Sequence, residues 1–408
     1  MNRYIYVIIL SLVLTVCFFQ GCKKHSISEE ERAEYYELNK QNSLRTFTPV
    51  MYNASEGERR ELFKIVHISD AHLSTWSHGN HIQNPFNLIE AIRFANDSSA
   101  RINAIAATGD HISNSITTTR NEAIGYMNIF TKTLYNNNHI PTFTSTGNHD
   151  ANMMNPHSME YAFSKQDLYT YLTSKINYPI QSEGNENYYY ADLVNPMGGK
   201  IRIIALDVTD QDILIYSAQH NAILSQKQID WLCHTALKKD MTENHSVIIL
   251  THHPFPPADD EALSGIVKSE YLYNWHLIPD IVESFRTKQE LTRKYRNKLD
   301  VSDSISVSVS FVASPGEFIC YLGGHLHTYL NYEVKSPTSS LPNQLMIIAN
   351  NMSPSDKSSI SPIERSDTGL RNNTFNLYAI DTKKKMIYVA FFGATGFYYP
   401  NIIALNYL

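Results

Sequence analysis

Leu62-Phe-Lys-Ile-Val-His-Ile-Ser69 runs straight into Asp70-Ala71-His72. An apolar stretch of strand length ends on two side chains that can ligate a metal. The arrangement recurs four times. Ala104–Thr108 leads to Gly109-Asp110, and Pro141–Thr146 leads to Gly147-Asn148-His149-Asp150. Ser246–Thr251 leads to His252-His253-Pro254, and Phe318–Gly323 leads to Gly324-His325-Leu326-His327. Only Pro141–Thr146 is short and polar for a strand. In open α/β sheets, ligand sites form in the crevice outside the carboxyl ends of the strands. Five separated pieces of chain are therefore expected along one sheet edge. Their imidazoles, carboxylates and single amide suit one or two divalent transition metals.

The segments between these runs read as crossovers. Pro85–Asn96 has helical spacing, with Pro85 suited to a first turn, and Asn121–Tyr135 is a second helix. The resulting β-α-β-α-β series predicts a partly parallel sheet in an α/β fold. Two more strands, Tyr188–Val194 and Ile201–Asp207, precede a helix over Ser225–Leu237 with Ser225 as its N-cap. Residues 255–310 read as an insertion near the expected site. Within it Ile305-Ser-Val-Ser-Val-Ser-Phe311 alternates strictly, the pattern of a half-buried strand. Residues 341–408 supply C-terminal strands, Gln344–Ala349, Phe375–Asp381 and Met386–Phe392, around a Ser-, Pro- and Asp-rich loop at 353–369.

With 408 residues the chain can form one large α/β domain with decorations, or two domains. Hydrophobic content of 43% against 18% charged predicts a folded body rather than a disordered one. A formal net charge of −6 argues against nucleic acid as a partner, since such surfaces are basic, and so against a nuclease.

The N-terminus differs from the rest. Ile5–Phe19 is almost wholly apolar, broken by Ser11 and Thr15, and is short for a membrane span. It fits the apolar region of a secretory signal. Gly21-Cys22 followed by Lys23-Lys24 resembles the lipobox of bacterial lipoproteins, although Phe19 and Gln20 depart from its usual residues. Residues 1–22 are thus expected to be a lipoprotein signal ending at Cys22; simple secretion and an uncleaved anchor are the alternatives. Residues 23–58, with a helical pattern over Glu29–Asn39, read as a tether, and 59–408 as the catalytic domain. The expected location is outside the cytoplasm, held to a membrane through a lipid on Cys22. Cys233 and Cys320 then remain. Cys233 shares a helical stripe with Ile229, Leu232, Ala236 and Leu237, and Cys320 is mid-strand. Both are expected to be buried free thiols.

The five fragments, in this order, resemble the calcineurin-like metallophosphoesterases, whose pattern is D-x-H, G-D, G-N-H-D/E, a lone His and G-H-x-H. Leu224-Ser-Gln-Lys-Gln-Ile-Asp-Trp-Leu232 also resembles that family's L-s-x-x-Q-x-x-W-L helix. The resemblance implies a layered α/β-sandwich of mixed sheets with two divalent metal ions at the carboxyl ends of the strands. One metal would take Asp70, His72, Asp110 and His327; the other would take Asp110, Asn148, His252 and His325. Asp110 would bridge them, and a solvent-derived hydroxide between the metals would attack a phosphate mono- or diester. His149 would serve as general acid, with Asp150 in a supporting role. Mn, Fe, Zn or Co would all suit the donor set. Many relatives carry an Asp three residues after the G-D aspartate; here that position is Ser113, beside Asn114. The tyrosine next to the bridging Asp of purple acid phosphatases is replaced by His111. The alternative function is a cell-surface binding protein that keeps the fold and metals without turnover.

The other histidines read differently. His67 is mid-strand and expected to be buried. His111 is a candidate for reaching substrate. His253 is expected to point away from its ligating neighbour by strand alternation. Arg286–Lys298, with Arg286, Lys288, Arg293, Lys294, Arg296 and Lys298 against Glu290, reads as a solvated helix, or as a basic wall facing substrate.

Overall fold

The computed structural model describes residues 28–51, 61–74, 84–113, 118–153, 159–210, 222, 224–257, 277–296, 304–334, 344–352, 365 and 369–407. The expected signal segment and Cys22, Asn114 and the 353–364 stretch lie outside the described residues.

Two six-stranded sheets dominate. The first has the spatial order β14 (Ile403–Asn406), β13 (Met386–Gly393), β12 (Thr374–Asp381), β1 (Phe63–Ile68), β2 (Ala104–Thr108), β3 (Thr142–Ser145). The second has the order β10 (Leu330–Val334), β11 (Gln344–Ile348), β9 (Glu317–Gly323), β6 (His245–Leu250), β5 (Lys200–Ala205), β4 (Tyr189–Val194). β1, β2 and β3 run parallel, as do β5, β6, β9 and β11, while the outer strands are antiparallel. Both sheets are therefore mixed, as expected. A third, two-stranded sheet pairs β7 (Glu290–Arg296) with β8 (Ser304–Ser310).

Alternation along β1 shows how the layers form. Phe63 and Ile65 pack with Ile203, Ile248 and Leu322 of the second sheet, whereas Val66 and Ile68 join the helices on the outer face. Strands buried on both faces explain why the runs read as continuously apolar. On that outer face lie α1 (Glu29–Met51), α2 (Asn84–Ala95) and α3 (Arg120–Tyr135), the last opened by a capping box between Thr119 and Glu122. The short α4 (Lys165–Tyr171) follows. Against the second sheet lie α5 (Gln226–Trp231), capped by Ser225 as expected, and α6 (Leu277–Thr287). α5 does not stay α-helical to Leu237: Leu232–Ala236 is a π turn. A short α7 (Ala394–Tyr398) follows β13. Cys233 and Cys320 are buried free thiols. Among the described residues, no helix is long and apolar enough to cross a membrane.

Two further expectations change. Residues 23–58 do not form a free tether over their described part. α1 seats Tyr36 and Phe47 in the core beside α2 and β13. The buried stripe is Tyr36, Asn39, Ser43 and Phe47, at helical spacing, but two of its members are polar, so it does not read as an apolar face. Asn39 donates to the Leu370 carbonyl and Ser43 to the carbonyls of Asn39 and Phe391. Over its described part the basic run 286–298 is not one solvated helix, and three of its cations have partners. α6 ends at Thr287 and Glu290–Arg296 is a strand. Arg286 pairs with Glu283, Arg293 with Asp280, and Lys288 donates to the Gly316 carbonyl.

Candidate metal centre

All five fragments meet, but not along one sheet edge as expected: three follow β1, β2 and β3 of the first sheet and two follow β6 and β9 of the second, at a shared end of the two sheets. Backbone bonds stitch the loops together: Asp70 N–H donates to Gly109 O, His72 N–H to Asp110 O, and Gly324 N–H to His252 O. The approach is so close that side chains are excluded at two glycines. A Cβ at Gly147 would land on the backbone nitrogen and Oδ1 of Asp110, and one at Gly324 on Ser69 Oγ and Asp70 Oδ2. Five of the expected ligands, Asp70, His72, Asp110, His325 and His327, have positive φ, between 47° and 72°. Such backbone is costly for non-glycine residues and persists where the surroundings over-determine it.

The donor atoms fall into two adjoining groups. In the first, single donor atoms of Asp70, His72, Asp110 and His327 all lie within 4.8 Å of one another. His72 Nε2 and His327 Nε2 are 3.0 Å apart, and His327 Nε2 is 3.3 Å from Asp70 Oδ1. In the second, His252 Nε2 is 3.1 Å from both Asn148 Oδ1 and Asp110 Oδ2, and His325 Nδ1 is 3.1 Å from Asn148 Oδ1. Asp110 reaches both groups, since its Oδ2 is also 3.8 Å from His72 Nε2. Buried imidazole nitrogens converging with carboxylate and amide oxygens in this way fit two small cations better than a purely hydrogen-bonded cluster.

The electrostatics agree. Burial would raise Asp110, but His252, His149 and His72 outweigh it and hold its carboxyl well below the usual range. Burial would likewise raise Asp70, yet the hydrogen bond and charge of His327 bring it down to about 2. Burial would lower His252, but Asp110 pushes it up to about 9. Burial, with His253 and His252 adding to it, holds His325 well below the ordinary imidazole value. The carboxylates are thus ionised and ready to ligate.

Supporting contacts fix the ligands. His252 Nδ1 lies 2.8 Å from Thr108 O, which turns Nε2 toward the site. His325 N–H donates to Asp70. Asp150 accepts from Gly147 N–H at 2.8 Å, His111 N–H at 2.7 Å and Ile112 N–H at 3.3 Å, so it staples the Asp110 loop to the Asn148 loop. His149 is partly exposed, with a side-chain accessibility of 19%; its N–H donates to Asp110 Oδ1 and its ring meets the His72 ring edge-on. Asp110 and His72 both flank His149.

Three histidines need comment. His67 is buried as expected, between Tyr378 Oη and Thr108 Oγ1, each at 2.8 Å. His111 does not face substrate. It is buried, stacks on Phe130 with centroids 4.2 Å apart, and its Nε2 is 3.1 Å from Ser145 O. His253 is the residue that sequence reasoning missed. It joins His252 and His325 within the 4.8 Å of the second group, with its ring 4.3 Å from that of His325. Strand alternation does not govern it, because β6 ends at Leu250 and the chain has already turned. The His-His doublet itself was the available signal.

Fold and site together define an α/β-sandwich protein with two adjoining groups of candidate metal ligands. The family model for calcineurin-like phosphoesterases matches residues 63–329, well over half of the chain, and the protein belongs to that family. The match begins at β1 and closes just after His327, so it contains every candidate ligand. No curated protein matches the chain. Membership implies metal-dependent phosphoester hydrolysis, in a family that typically binds two divalent metals.

Proposed function

We propose that the protein is a dinuclear phosphoesterase acting on a phosphate mono- or diester outside the cytoplasm. Asp70, His72, Asp110 and His327 hold one divalent cation, and Asp110, Asn148, His252 and His325 hold the other. The observation that carries this reading is the position of Asp110 Oδ2, 3.1 Å from His252 Nε2 and 3.8 Å from His72 Nε2, between the two groups. Two cations sharing a carboxylate supply a water of lowered pKa and positive charge against the phosphoryl oxygens. Asn148 contributes a neutral oxygen, which leaves the pair more electrophilic. His149, partly exposed and fixed to Asp110 through its N–H, protonates the leaving oxygen. The chain reaches the exported side through residues 1–22 and is held there by lipid on Cys22.

The test is metal analysis coupled to a panel of aryl phosphate monoesters and diesters. Wild-type protein is expected to hold two metals and turn over at least one class. Asp110→Asn is expected to lose at least one metal and nearly all turnover. Full metal content with wild-type activity in that variant refutes the shared carboxylate. Two bound metals with no turnover on any ester favour a surface binding protein.

A further inference from the structure

The way α1 docks decides which end of the molecule faces the membrane. α1 runs alongside α2 in the same direction: Arg32 covers the Phe86 ring at 4.5 Å, Arg93 lies over Tyr36 and pairs with Glu37, and Lys40 pairs with Asp97. The start of α1 therefore sits at the start of α2. That end is the metal edge. Asn87 Nδ2 donates to Met352 O, and Met352 N–H donates to Ser69 O, next to the ligand Asp70. Two apolar side chains stand exposed on the same end of α2, Phe86 at 39% and Ile89 at 47%.

Residues 23–28 are all that separate Cys22 from the docked helix. Six residues reach at most about 22 Å even when fully extended. A body of about 350 residues has a radius of gyration of about 20 Å. A leash of that length, entering at the metal edge, keeps that edge toward the bilayer and within lipid reach. Lys23 and Lys24 on the leash suit an anionic headgroup layer.

We infer that the substrate is the phosphate ester of a membrane-lipid headgroup, taken at the bilayer surface to which the chain is leashed. The inference rests on the phosphoesterase and Cys22-lipid readings of the preceding section. The partly exposed imidazoles of His149 and His327, at 19% and 18%, mark the side from which such a headgroup enters.

The experiment uses the full lipidated chain in phosphatidylcholine vesicles that carry phosphatidic acid or phosphatidylglycerol. The soluble counterparts glycerol phosphate and glycerophosphoglycerol are assayed at matched phosphate, with an aryl phosphate as control. One lipid ester is expected to be cleaved at least about tenfold faster than its soluble counterpart, because leashing raises its effective concentration. Inserting roughly twenty Gly/Ser residues between Lys24 and His25 is expected to lower the lipid rate about tenfold, from the −3/2 power of leash length. Aryl phosphate turnover should not change. Soluble counterparts cleaved as fast as the lipids, or a lipid rate indifferent to the insertion, overturns the inference and leaves the phosphoesterase standing. No turnover on any ester overturns both. An unmodified mature terminus at a residue other than Cys22, seen by mass spectrometry, overturns the Cys22-lipid reading and the inference with it, and leaves the phosphoesterase standing.

Discussion

Removing the Asp150 carboxylate tests how the centre is held together. Asp150 is buried and carries two loops on one side chain: Oδ2 accepts from Gly147 N–H, and Oδ1 accepts from His111 and Ile112 N–H. Asp150→Ala leaves three N–H groups without an acceptor. At about 1–3 kcal/mol for each orphaned buried donor, and with partial rescue by an entering water, the loss of folding stability is about 3–5 kcal/mol. That is a large part of the ~5–15 kcal/mol of an ordinary domain, so the variant folds but is weakened. The same change loosens Asp110 and Asn148, and loss of such a supporting contact typically costs about 10–100-fold in metal affinity. Asp150→Asn should be milder. Burial and the neighbouring Asp110 push Asp150 up to about 7, so the ionised carboxyl is held at a cost that an amide escapes while one acceptor survives. Urea unfolding of the metal-free protein reads the first effect and calorimetric Mn²⁺ titration the second. Wild-type stability together with wild-type Mn²⁺ affinity in Asp150→Ala would refute the staple.

Three further outcomes are expected. His149→Ala should retain both metals yet lose turnover by about 10²–10⁴-fold on esters with poor leaving groups, and much less on nitrophenyl esters; a uniform small loss would assign His149 to structure. Lys64 is buried on β1, and burial lowers its ammonium to about 8. Below pH 8 the folded protein holds that charge at a cost; between pH 8 and the unfolded value near 10.5 only the unfolded chain keeps the proton, so stability rises with pH. Lys64→Met should therefore melt higher than wild type at pH 7, by ~2 kcal/mol of stability after allowance for screening. Scanning calorimetry should see that advantage shrink toward pH 10, and an advantage that grows instead would reverse the assignment. A chain beginning at Arg59 loses the burial of Tyr36 and Phe47 against the body, at about 1.5–3 kcal/mol each. It should unfold at lower urea than a chain beginning at Lys24, and equal midpoints would mean that α1 contributes nothing to the fold.

What the sequence showed and what it hid divide along a physical line. Strands such as β1, β2, β6 and β9 are buried on both faces, so their composition alone announces them, and a loop that must bring donors to a shared point carries those donors in its own few residues. The candidate site was therefore legible, down to Gly147 and Gly324, which the crowding around Asp110 and Asp70 demands. His253 was hidden by the turn after Leu250, which voids strand alternation; the other hidden features depend on a partner elsewhere in the chain. The stripe of α1 is half polar, and Asn39 and Ser43 are tolerable inside only because the carbonyls of Leu370 and Phe391 accept from them. Arg293 of β7 looks solvated until Asp280 of α6 pairs with it. His111 looks available until Phe130 covers it. In each case a polar residue was read by its own solubility, while the fold had provided its counterpart some distance along the chain. The docked helix follows the same logic. Two polar side chains satisfied by remote carbonyls seat Glu29–Met51 on the body, where 23–58 was expected to be a tether throughout; if Cys22 carries the proposed lipid, only residues 23–28 would remain as a leash, and its length would then limit which phosphate esters the centre meets.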